Sequence, residues 1–462
     1  MPNLTCTSPI DGSEFATRAT HDRSTVEGLL SEAREAQRAW AQHGIAERAA
    51  VVMKAIDALE AANDAVVTDL AHQMGRPVRY GGEISGVRER ATYMAGIAEE
   101  ALAETVIEDS DAFRRSIARE PLGVAFIIAP WNYPYLTAIN AIAPALIAGN
   151  AVAFKGSTQT LLVGERFADA FEAAGLPDGL FLNLYLTHDD SEALIAAGEF
   201  DVINFTGSVG AGRRIEQAAA GTFTPIGLEL GGKDPGYVRP DADITAAAET
   251  LIDGAMFNSG QCCCGIERIY VHRSVLDEFV ARSTAIVEGY VLGDPLDPET
   301  TLGPMANLRF ANDVRSQVAE ALEAGATGLI DPALFPADTG DTTYLAPQIL
   351  IDVDHSMRVM HEESFGPVVG IVPVDDDEEA IRLMNDSDFG LTASIWTADA
   401  EAAAAIGARI ETGTVFMNRC DYLDPALCWS GCGDSGRGTA LSHLGYQALT
   451  RPKSYHLRKQ LG

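Results

Sequence analysis

The chain has 462 residues, of which 47% are hydrophobic and 21% are charged. This length exceeds what one hydrophobic core usually supports, so we expect two or three domains, and the composition argues against a disordered chain. Sixty-six acidic residues against 33 basic ones give a formal net charge of -33, which argues against nucleic-acid or anionic-membrane partners.

Neither the N-terminal residues nor the longest apolar stretch suggests a secretory or membrane segment. Residues 1–14 lack both a basic region and an apolar core, so we predict a cytoplasmic protein whose cysteines stay reduced. The longest apolar stretch, 136–154, is interrupted by Asn140, Pro144 and Gly149. It therefore favours a buried helix followed by a strand over a transmembrane segment.

The first half of the chain alternates between strand and helix patterns. A strand, a turn and a strand are predicted around residues 8–13, and helical apolar spacing follows over 26–75. The continuous apolar run 124–128 is typical of a parallel strand buried on both faces. Further short apolar strands and helical stretches then alternate, with strands at 151–154, 180–184 and 202–205 and helices at 160–174 and 191–198. This rhythm predicts an open α/β sheet.

A second alternation begins after residue 241 and predicts a second α/β domain. Its strands are predicted at 268–271, 368–372 and 392–396. Glycine and proline punctuate 231–241, so we place the domain boundary there. The acidic run 375–379 indicates the start of a helix, where carboxylates favour the helix dipole, and not a metal site.

Residues 257–264 read Phe-Asn-Ser-Gly-Gln-Cys-Cys-Cys and gather three of the seven cysteines. Adjacent cysteines do not easily pair with each other, and no second Cys-x2-Cys pair lies nearby to complete a zinc site, so we predict no metal. The cluster is therefore either a nucleophile or a chance group of core cysteines. A nucleophile would need a base, a cation or a helix N-terminus to raise its thiolate fraction.

Four other features could carry chemistry, and each has an ordinary alternative. The glycine-rich turn 205–212 follows a predicted strand and could bind a phosphate, or be a tight turn only. Glu229 lies between leucines, where burial would raise its pKa towards that of a general base, unless it is exposed. The amide of Asn132 could stabilise an oxyanion or belong to a turn. Lys155 follows a strand, where it could reach ribose hydroxyls or be solvated.

Taken together and in order, these motifs resemble the aldehyde dehydrogenase superfamily over nearly the whole chain. The matching blocks are 130–134 (PWNYP), 205–212 (FTGSVGAG), 228–233 (LELGGK), 260–264 (GQCCC) and 362–367 (EESFGP). The resemblance implies the aldehyde dehydrogenase fold, with a Rossmann-like cofactor domain, a catalytic α/β domain and a small β oligomerisation element. It places the cofactor domain at 1–102, 122–231 and 435–449, the catalytic domain at 232–434, and the oligomerisation element at 103–121 and 450–462. We expect a homodimer or homotetramer.

By this resemblance, the chain oxidises an aldehyde to a carboxylic acid with NAD+ or NADP+. Cys263 would attack the aldehyde carbon, while the Asn132 side chain and the Cys263 backbone N–H stabilise the oxyanion. Hydride transfer would leave a thioester on Cys263, and Glu229 would activate the water that hydrolyses it.

The resemblance also implies the cofactor residues. They are Ile128, Pro130, Trp131, Lys155, Thr158, Gly207, Ser208, Leu230, Gly231, Glu363 and Phe365. Glu363 would hold the nicotinamide ribose and Phe365 would pack beside the ring. Members that prefer NAD typically carry a glutamate three positions after the lysine, where this chain has Thr158. The carboxylate that would repel a 2'-phosphate is missing, so we expect NADP to be tolerated.

The resemblance leaves the aldehyde open. The pocket residues implied are Tyr133, Leu136, Asn140, Phe257, Cys262, Cys264, Arg419 and Trp429, with the loop 419–423 at the mouth. Arg419 could receive the carboxylate of a semialdehyde, whereas Asp421 and the aromatic rings would suit a cationic aldehyde. The two charged side chains could equally pair with each other.

Two other functions compete with this one. A CoA-acylating semialdehyde dehydrogenase would pass the thioester to CoA, but family members that do so generally lack the base glutamate, which is present here as Glu229. A non-catalytic binding or structural protein is the second alternative. The presence of Cys263, Glu229 and Asn132 together argues against it.

Overall fold

The computed structural model describes residues 2–460. The helices are α1 (Arg23–Trp40), α2 (Ile45–Ala61), α3 (Asn63–Met74), α4 (Ile84–Ala101), α5 (Pro134–Ala148), α6 (Leu162–Ala173), α7 (His188–Ala196), α8 (Val209–Ala219), α9 (Ile244–Met256), α10 (Leu276–Glu288), α11 (Leu308–Glu323), α12 (Arg358–His361), α13 (Asp377–Met384), α14 (Ala400–Gly407) and α15 (Ser442–Ala448). Within these residues, no helix has the length and apolar character needed to cross a membrane.

Within residues 2–460, the strands form five sheets. They are β1 (Asn3–Thr7), β2 (Glu14–Ala19), β3 (Thr105–Asp109), β4 (Phe113–Pro121), β5 (Val124–Ile128), β6 (Ala151–Lys155), β7 (Phe181–Asn183), β8 (Val202–Thr206), β9 (Ile226–Glu229), β10 (Asp234–Val238), β11 (Ile266–His272), β12 (Thr327–Gly328), β13 (Gln348–Ile351), β14 (Val368–Val374), β15 (Phe389–Gly390), β16 (Thr392–Trp396), β17 (Thr414–Met417), β18 (Cys432–Gly433), β19 (Gly436–Arg437) and β20 (Thr450–Arg458).

The first large sheet has the order β19-β9-β8-β5-β6-β7 and is parallel except at β19. The predicted strands β5, β6, β7 and β8 are confirmed. Every residue of β5 and β6 is buried, as in a parallel strand that is covered on both faces. The predicted helix and strand in the apolar stretch 136–154 are α5 and β6. Helix α5 begins with Pro134, whose fixed φ suits the first turn, and ends at the left-handed Gly149.

The second large sheet has the order β12-β13-β14-β11-β10-β16-β17 and is parallel except at β12. The predicted strands β11, β14 and β16 are confirmed. The acidic run begins α13 as expected, with the side chain of Asp376 accepting a hydrogen bond from the backbone N–H of Glu379. The predicted open α/β architecture with two parallel sheets is therefore confirmed.

Three antiparallel elements of residues 2–460 lie outside the large sheets, and the smallest is the pair β15 and β18. Strands β1 and β2 form an N-terminal hairpin, but residues 8–13, predicted to hold both strands, are only its turn, closed by a hydrogen bond from the Ser8 N–H to the Ser13 carbonyl. Strands β20, β4 and β3 form a three-stranded sheet in which β20 pairs with β4 along its whole length. The predicted oligomerisation element covers this sheet, although its last residues, 461–462, lie outside the described part of the chain.

The connections bring the candidate residues to facing edges of the two large sheets. Lys155, Thr206 and Glu229 each end a parallel strand of the first sheet, so they lie on its carboxyl edge. Cys263 precedes β11 and Glu363 precedes β14, which are adjacent parallel strands of the second sheet. The chain passes between the sheets at Gly231–Lys233, and a Cβ atom at Gly232 would collide with the carbonyl of Cys263.

Candidate active site

The cysteine cluster lies in a sharp turn after helix α9. Asn258, Ser259 and Gly260 have φ angles of 56°, 56° and 70°, a conformation that is costly for the first two residues. Their side chains stabilise it, because Asn258 Nδ2 donates to the Gln261 carbonyl at 3.1 Å and Ser259 Oγ donates to the Gly303 carbonyl at 2.8 Å. Gly260 packs against the backbone of Gly366, which leaves no room for a Cβ atom.

Cys263 is the partly exposed member of the cluster. Cys262 and Cys264 are 8% and 3% exposed, and their Sγ atoms are 3.6 Å apart. Contact with the Cys262 thiol raises the pKa of the Cys263 thiol well above its usual value of 9, and burial adds to this. The resting thiol therefore needs a base. Among residues 2–460, the backbone N–H of Cys263 has no hydrogen-bond acceptor, so it is available to an incoming oxygen.

Asn132 is buried in the loop that follows β5, and its Nδ2 donates to the Gln261 carbonyl at 3.3 Å. Arg76 holds this loop, with Nη2 donating to the Asn132 carbonyl at 2.5 Å and Nη1 to Glu83 Oε1 at 2.6 Å. The other Glu83 oxygen accepts the backbone N–H of Leu136 at 2.7 Å, at the start of α5. A buried ion pair that sequence reasoning did not identify therefore positions the Asn132 loop.

Glu229 ends β9 and lines the same cavity as Cys263. Its Oε2 accepts a hydrogen bond from Thr206 Oγ1 at 3.1 Å. Burial raises the pKa of Glu229 to about 7, against hydrogen bonding from Thr206, which lowers it. A carboxylate that is partly ionised near neutral pH is suited to take a proton from a thiol or from water.

The cavity in front of Cys263 has a volume of about 160 Å³. Of the eight pocket residues implied by the resemblance, it contains Tyr133, Leu136, Asn140, Phe257, Cys262, Cys264 and Trp429. Leu230, expected to contact the cofactor, also lines it, as do Asp421 and Leu423 of the mouth loop. Arg90, Thr137 and Thr206 line it too and were not predicted.

Arg419 is the pocket residue that the structure places elsewhere. It is exposed, and its guanidinium lies 3.6 Å from the centroid of the Tyr422 ring. Asp421, with a φ of 49°, turns the chain between these two residues. In the part of the chain that the structure describes, Arg419 and Asp421 form no ion pair. The expectation that Arg419 lines the pocket is therefore corrected, because stacking on Tyr422 holds the guanidinium outside.

The residues implied for the adenosine side of the cofactor lie at the carboxyl edge of the first sheet. Lys155 is buried at the end of β6, and no described residue accepts a hydrogen bond from its ammonium. Burial lowers the pKa of Lys155 to about 8. Ser208 caps the N-terminus of α8, after Gly207, and Thr158 begins a short 3₁₀ turn near Lys155. A buried cation without a partner beside a helix N-terminus fits the hydroxyl and phosphate oxygens of a dinucleotide.

The residues implied for the nicotinamide side lie in the loop before β14. Glu363 Oε1 accepts the Gly232 N–H at 3.0 Å, and its carboxylate fills the space in which a Gly231 side chain would lie. Burial raises the pKa of Glu363 to about 8. The ring of Phe365 meets the ring of Trp131 edge to face, with centroids 5.5 Å apart. Ile128 and Pro130 lie at the end of β5, directly before Trp131.

A buried ion pair supports this loop from below. Lys233 Nζ lies 2.5 Å from Glu267 Oε2 and donates to Ser364 Oγ at 3.1 Å. Glu267 in turn accepts the backbone N–H groups of Ser364 at 2.7 Å and Phe365 at 2.9 Å. Glu267 lies in no recognisable motif, so the sequence did not indicate its role.

The profile described as the aldehyde dehydrogenase family matches residues 2–455. An aldehyde dehydrogenase of Paenarthrobacter nicotinovorans is 35% identical over 452 residues, covering 96% of this chain and 98% of that protein. An NADP+ succinate-semialdehyde dehydrogenase of Deinococcus radiodurans is 31% identical, covering 96% and 93%, and betaine aldehyde dehydrogenase 2 of Rhizobium meliloti is 32% identical, covering 99% and 95%. The crystal structure of an NAD-dependent aldehyde dehydrogenase from Sinorhizobium meliloti superimposes with a TM-score of 0.94, at 30% identity, covering 100% of this chain and 92% of that one.

Proposed function

The chain belongs to the aldehyde dehydrogenase family, and on that premise we propose how its residues oxidise an aldehyde to a carboxylic acid with NAD+ or NADP+. The observation that carries the proposal is that Cys263, a partly exposed thiol, and Glu229, a carboxyl with a pKa raised to about 7, line one cavity. A nucleophile and a base are thereby available to the same substrate.

Attack on the aldehyde begins with the Cys263 thiol, whose raised pKa makes proton removal necessary. Glu229 accepts this proton, and the thiolate forms a bond to the carbonyl carbon. The new oxyanion accepts hydrogen bonds from the Cys263 backbone N–H and from Asn132 Nδ2, which exchanges its contact with the Gln261 carbonyl. When bound, the dinucleotide supplies the hydride acceptor, and Cys263 is left as a thioester.

Hydrolysis uses the same carboxylate a second time. Glu229 first releases to solvent the proton that it took from Cys263, and its carboxylate then takes a proton from a water molecule, whose oxygen attacks the thioester carbon. The oxyanion occupies the same donors, the C–S bond breaks, the departing sulfur takes the proton from Glu229, and the acid leaves with Cys263 restored. Thr206, which donates to Glu229, orients the carboxylate on the wall of the cavity.

The cofactor residues lie on the facing edges of the two large sheets. Lys155 and Ser208 would bind the adenosine ribose and the phosphates, while Glu363 and Phe365 would hold the nicotinamide end. Thr158 places a neutral side chain three positions after Lys155. Without a carboxylate there, a 2'-phosphate meets no repulsion, so we expect the enzyme to accept NADP+ as well as NAD+.

The three-stranded sheet supports association of copies of the chain. Its strands expose Val106, Ile107 and Leu457, at 50%, 58% and 50%. Exposed apolar side chains on edge strands are normally covered. We therefore infer a homodimer or homotetramer built through this sheet, with the cofactor and catalytic domains divided as the sequence predicts. The cytoplasmic location also stays a prediction.

The proposal is tested by following reduced-nicotinamide absorbance with a panel of aldehydes and either cofactor. Wild-type protein and Cys262→Ala should turn over, whereas Cys263→Ala should not. Turnover that requires CoA would contradict hydrolysis by Glu229. If neither wild-type protein nor the Cys262 variant oxidises any aldehyde, with or without CoA, the non-catalytic alternative is favoured.

A further inference from the structure

Arg90 places a buried positive charge in the wall of the catalytic cavity. It lies on α4, is 8% exposed, and lines the cavity together with Cys263 and Glu229. Its Nη1 donates to the Leu136 carbonyl at 2.7 Å and to Asn140 Oδ1 at 3.1 Å. Both acceptors are neutral. Across residues 2–460, no carboxylate lies within 4.0 Å of the guanidinium.

The carboxylates nearest to Arg90 are committed to other partners. Glu83 pairs with Arg76 and accepts backbone N–H groups at the start of α5. Glu229 accepts a hydrogen bond from Thr206. An arginine cannot shed its proton to escape the cost of burial, so a buried guanidinium without a counter-ion favours an incoming anion.

From this geometry, and resting on the proposed oxidation of an aldehyde at Cys263, we propose that Arg90 binds a carboxylate at the far end of the substrate. The preferred substrates are then short aldehydes that carry a terminal carboxylate. The remaining walls suit the methylene groups between the two functions, since Leu136, Phe257 and Trp429 present apolar surface to the cavity. A guanidinium has a planar fork of donors that matches a carboxylate.

A cationic aldehyde fits the cavity less well. Two carboxyls that line the cavity could attract a cation, Asp421 and Glu229. Asp421 is exposed at the mouth, where water solvates and screens it. Burial raises the pKa of Glu229 to about 7, so this carboxyl carries only part of a negative charge near neutral pH. A cation inside would approach the buried charge of Arg90. Arg419, the other arginine considered for carboxylate binding, stacks on Tyr422 away from the cavity. Arg90 is therefore the group in the cavity wall that stays fully charged at neutral pH, and its charge is positive.

The test compares kcat/KM for three four-carbon aldehydes that differ at the far end: 4-oxobutanoate, butanal and 4-(trimethylammonio)butanal. Wild-type protein should prefer the acid to butanal and butanal to the cation. In Arg90→Gln the ratio of the acid to butanal should fall by roughly a hundredfold, mainly through KM, since a buried charge pair is lost. Arg90→Lys should keep part of the preference. Arg88→Gln, on the same helix, is the matched control and should keep all of it, because Arg88 pairs with Asp57 and does not line the cavity.

Three results would overturn the proposal. They are equal or reversed preference in wild-type protein, a loss of preference in Arg419→Gln but not in Arg90→Gln, and an equal fall for acid and butanal in Arg90→Gln, which would make Arg90 a positioning residue for Glu229. Wild-type protein that oxidises no aldehyde would instead refute the proposed function. The Arg90 assignment is then still tested by calorimetry on Cys263→Ala protein, where succinate should bind more tightly than butyrate and equal binding would refute it.

Discussion

Replacing Glu229 by glutamine removes the base that serves both halves of the proposed reaction. Glutamine keeps the shape of the side chain and an acceptor for the Thr206 hydroxyl, but it cannot take a proton. If Glu229 takes a proton first from Cys263 and later from the hydrolytic water, both acylation and hydrolysis should slow in the variant. Rapid mixing should then show no fast burst of reduced nicotinamide, and the steady rate should lie about 100-fold to 10,000-fold below wild type. A fast burst of one reduced nicotinamide per active site would show that Glu229 acts in hydrolysis alone.

The pH dependence of kcat follows from the raised pKa of Glu229. Burial raises the pKa of Glu229 to about 7, and only the ionised form is a base. About one tenth of the enzyme is ionised at pH 6 and about nine tenths at pH 8, so wild-type kcat should rise roughly ninefold between them. Glu229→Gln should lack this rise. A wild-type kcat that stays level down to pH 5, or a variant with the wild-type steady rate, would refute the reasoning.

The raised pKa of Glu229 also predicts that the folded protein becomes less stable as the pH rises, whereas kcat increases. The folded state holds the proton on Glu229 more tightly than the unfolded chain, whose value is 4.5. The stability from this carboxyl is therefore complete below pH 4.5 and is lost as the pH rises through about 7. At pH 8 the loss is at most about 3 kcal/mol, and less because the side chain is partly exposed. Urea unfolding should thus find Glu229→Gln more stable than wild type at pH 8 and equal to it at pH 4.

Three further substitutions test the supports of the site. Thr158→Glu should lower the ratio of kcat/KM for NADP+ over NAD+ by about 100-fold, since a carboxylate would face the 2'-phosphate, and an unchanged ratio in initial-rate measurements would contradict the placement of the ribose. Lys233→Met leaves Glu267 buried without its partner and should lower the free energy of unfolding by about 3 to 5 kcal/mol, whereas the exposed Lys54→Met should change it by less than about 0.5 kcal/mol in the same urea titration. Arg76→Met should lower kcat more than Arg79→Met, because only Arg76 bonds to the Asn132 carbonyl and to Glu83; equal kcat values would show that the Asn132 loop needs no such support.

The strands that sequence reasoning found are those whose residues are apolar on both faces. Strand β5 and its neighbour β6 are uninterrupted and buried throughout. Strand β10, by contrast, begins with Asp234 and contains Pro235 and Gly236, so nothing local predicts a buried strand. Its carboxylate is satisfied by the backbone N–H and the hydroxyl of Thr392, at 3.0 and 2.6 Å. A partner 158 residues away makes this strand possible, and such a partner is not visible in a local pattern.

The same limit applies to the site. Cys263, Glu229 and Asn132 could be proposed because each lies in a short motif through which the chain resembles its family. Arg76 could not, since it bonds to the Asn132 carbonyl across 56 residues and comes from a segment without a motif. Glu267 likewise reaches the Phe365 loop across 98 residues. The groups that react were therefore predictable, while the groups that hold them in place required the folded chain.

Arg419 and Arg90 show why substrate preference, like the groups that hold the site in place, could not be predicted without the folded chain. Arg419 stands in the loop at the pocket mouth, so proximity in sequence favoured it, but Tyr422 three residues later offers a ring on which the guanidinium stacks. Arg90 lies in the middle of a polar helix and resembles a surface residue until α4 packs against α5. That packing brings the Leu136 carbonyl and Asn140 within reach and removes the guanidinium from water. The reacting groups of the cavity, Cys263 and Glu229, come from sequence motifs, whereas Arg90 reaches the cavity through the packing of helices. Two chains with the same motifs can therefore differ in the aldehyde that they prefer.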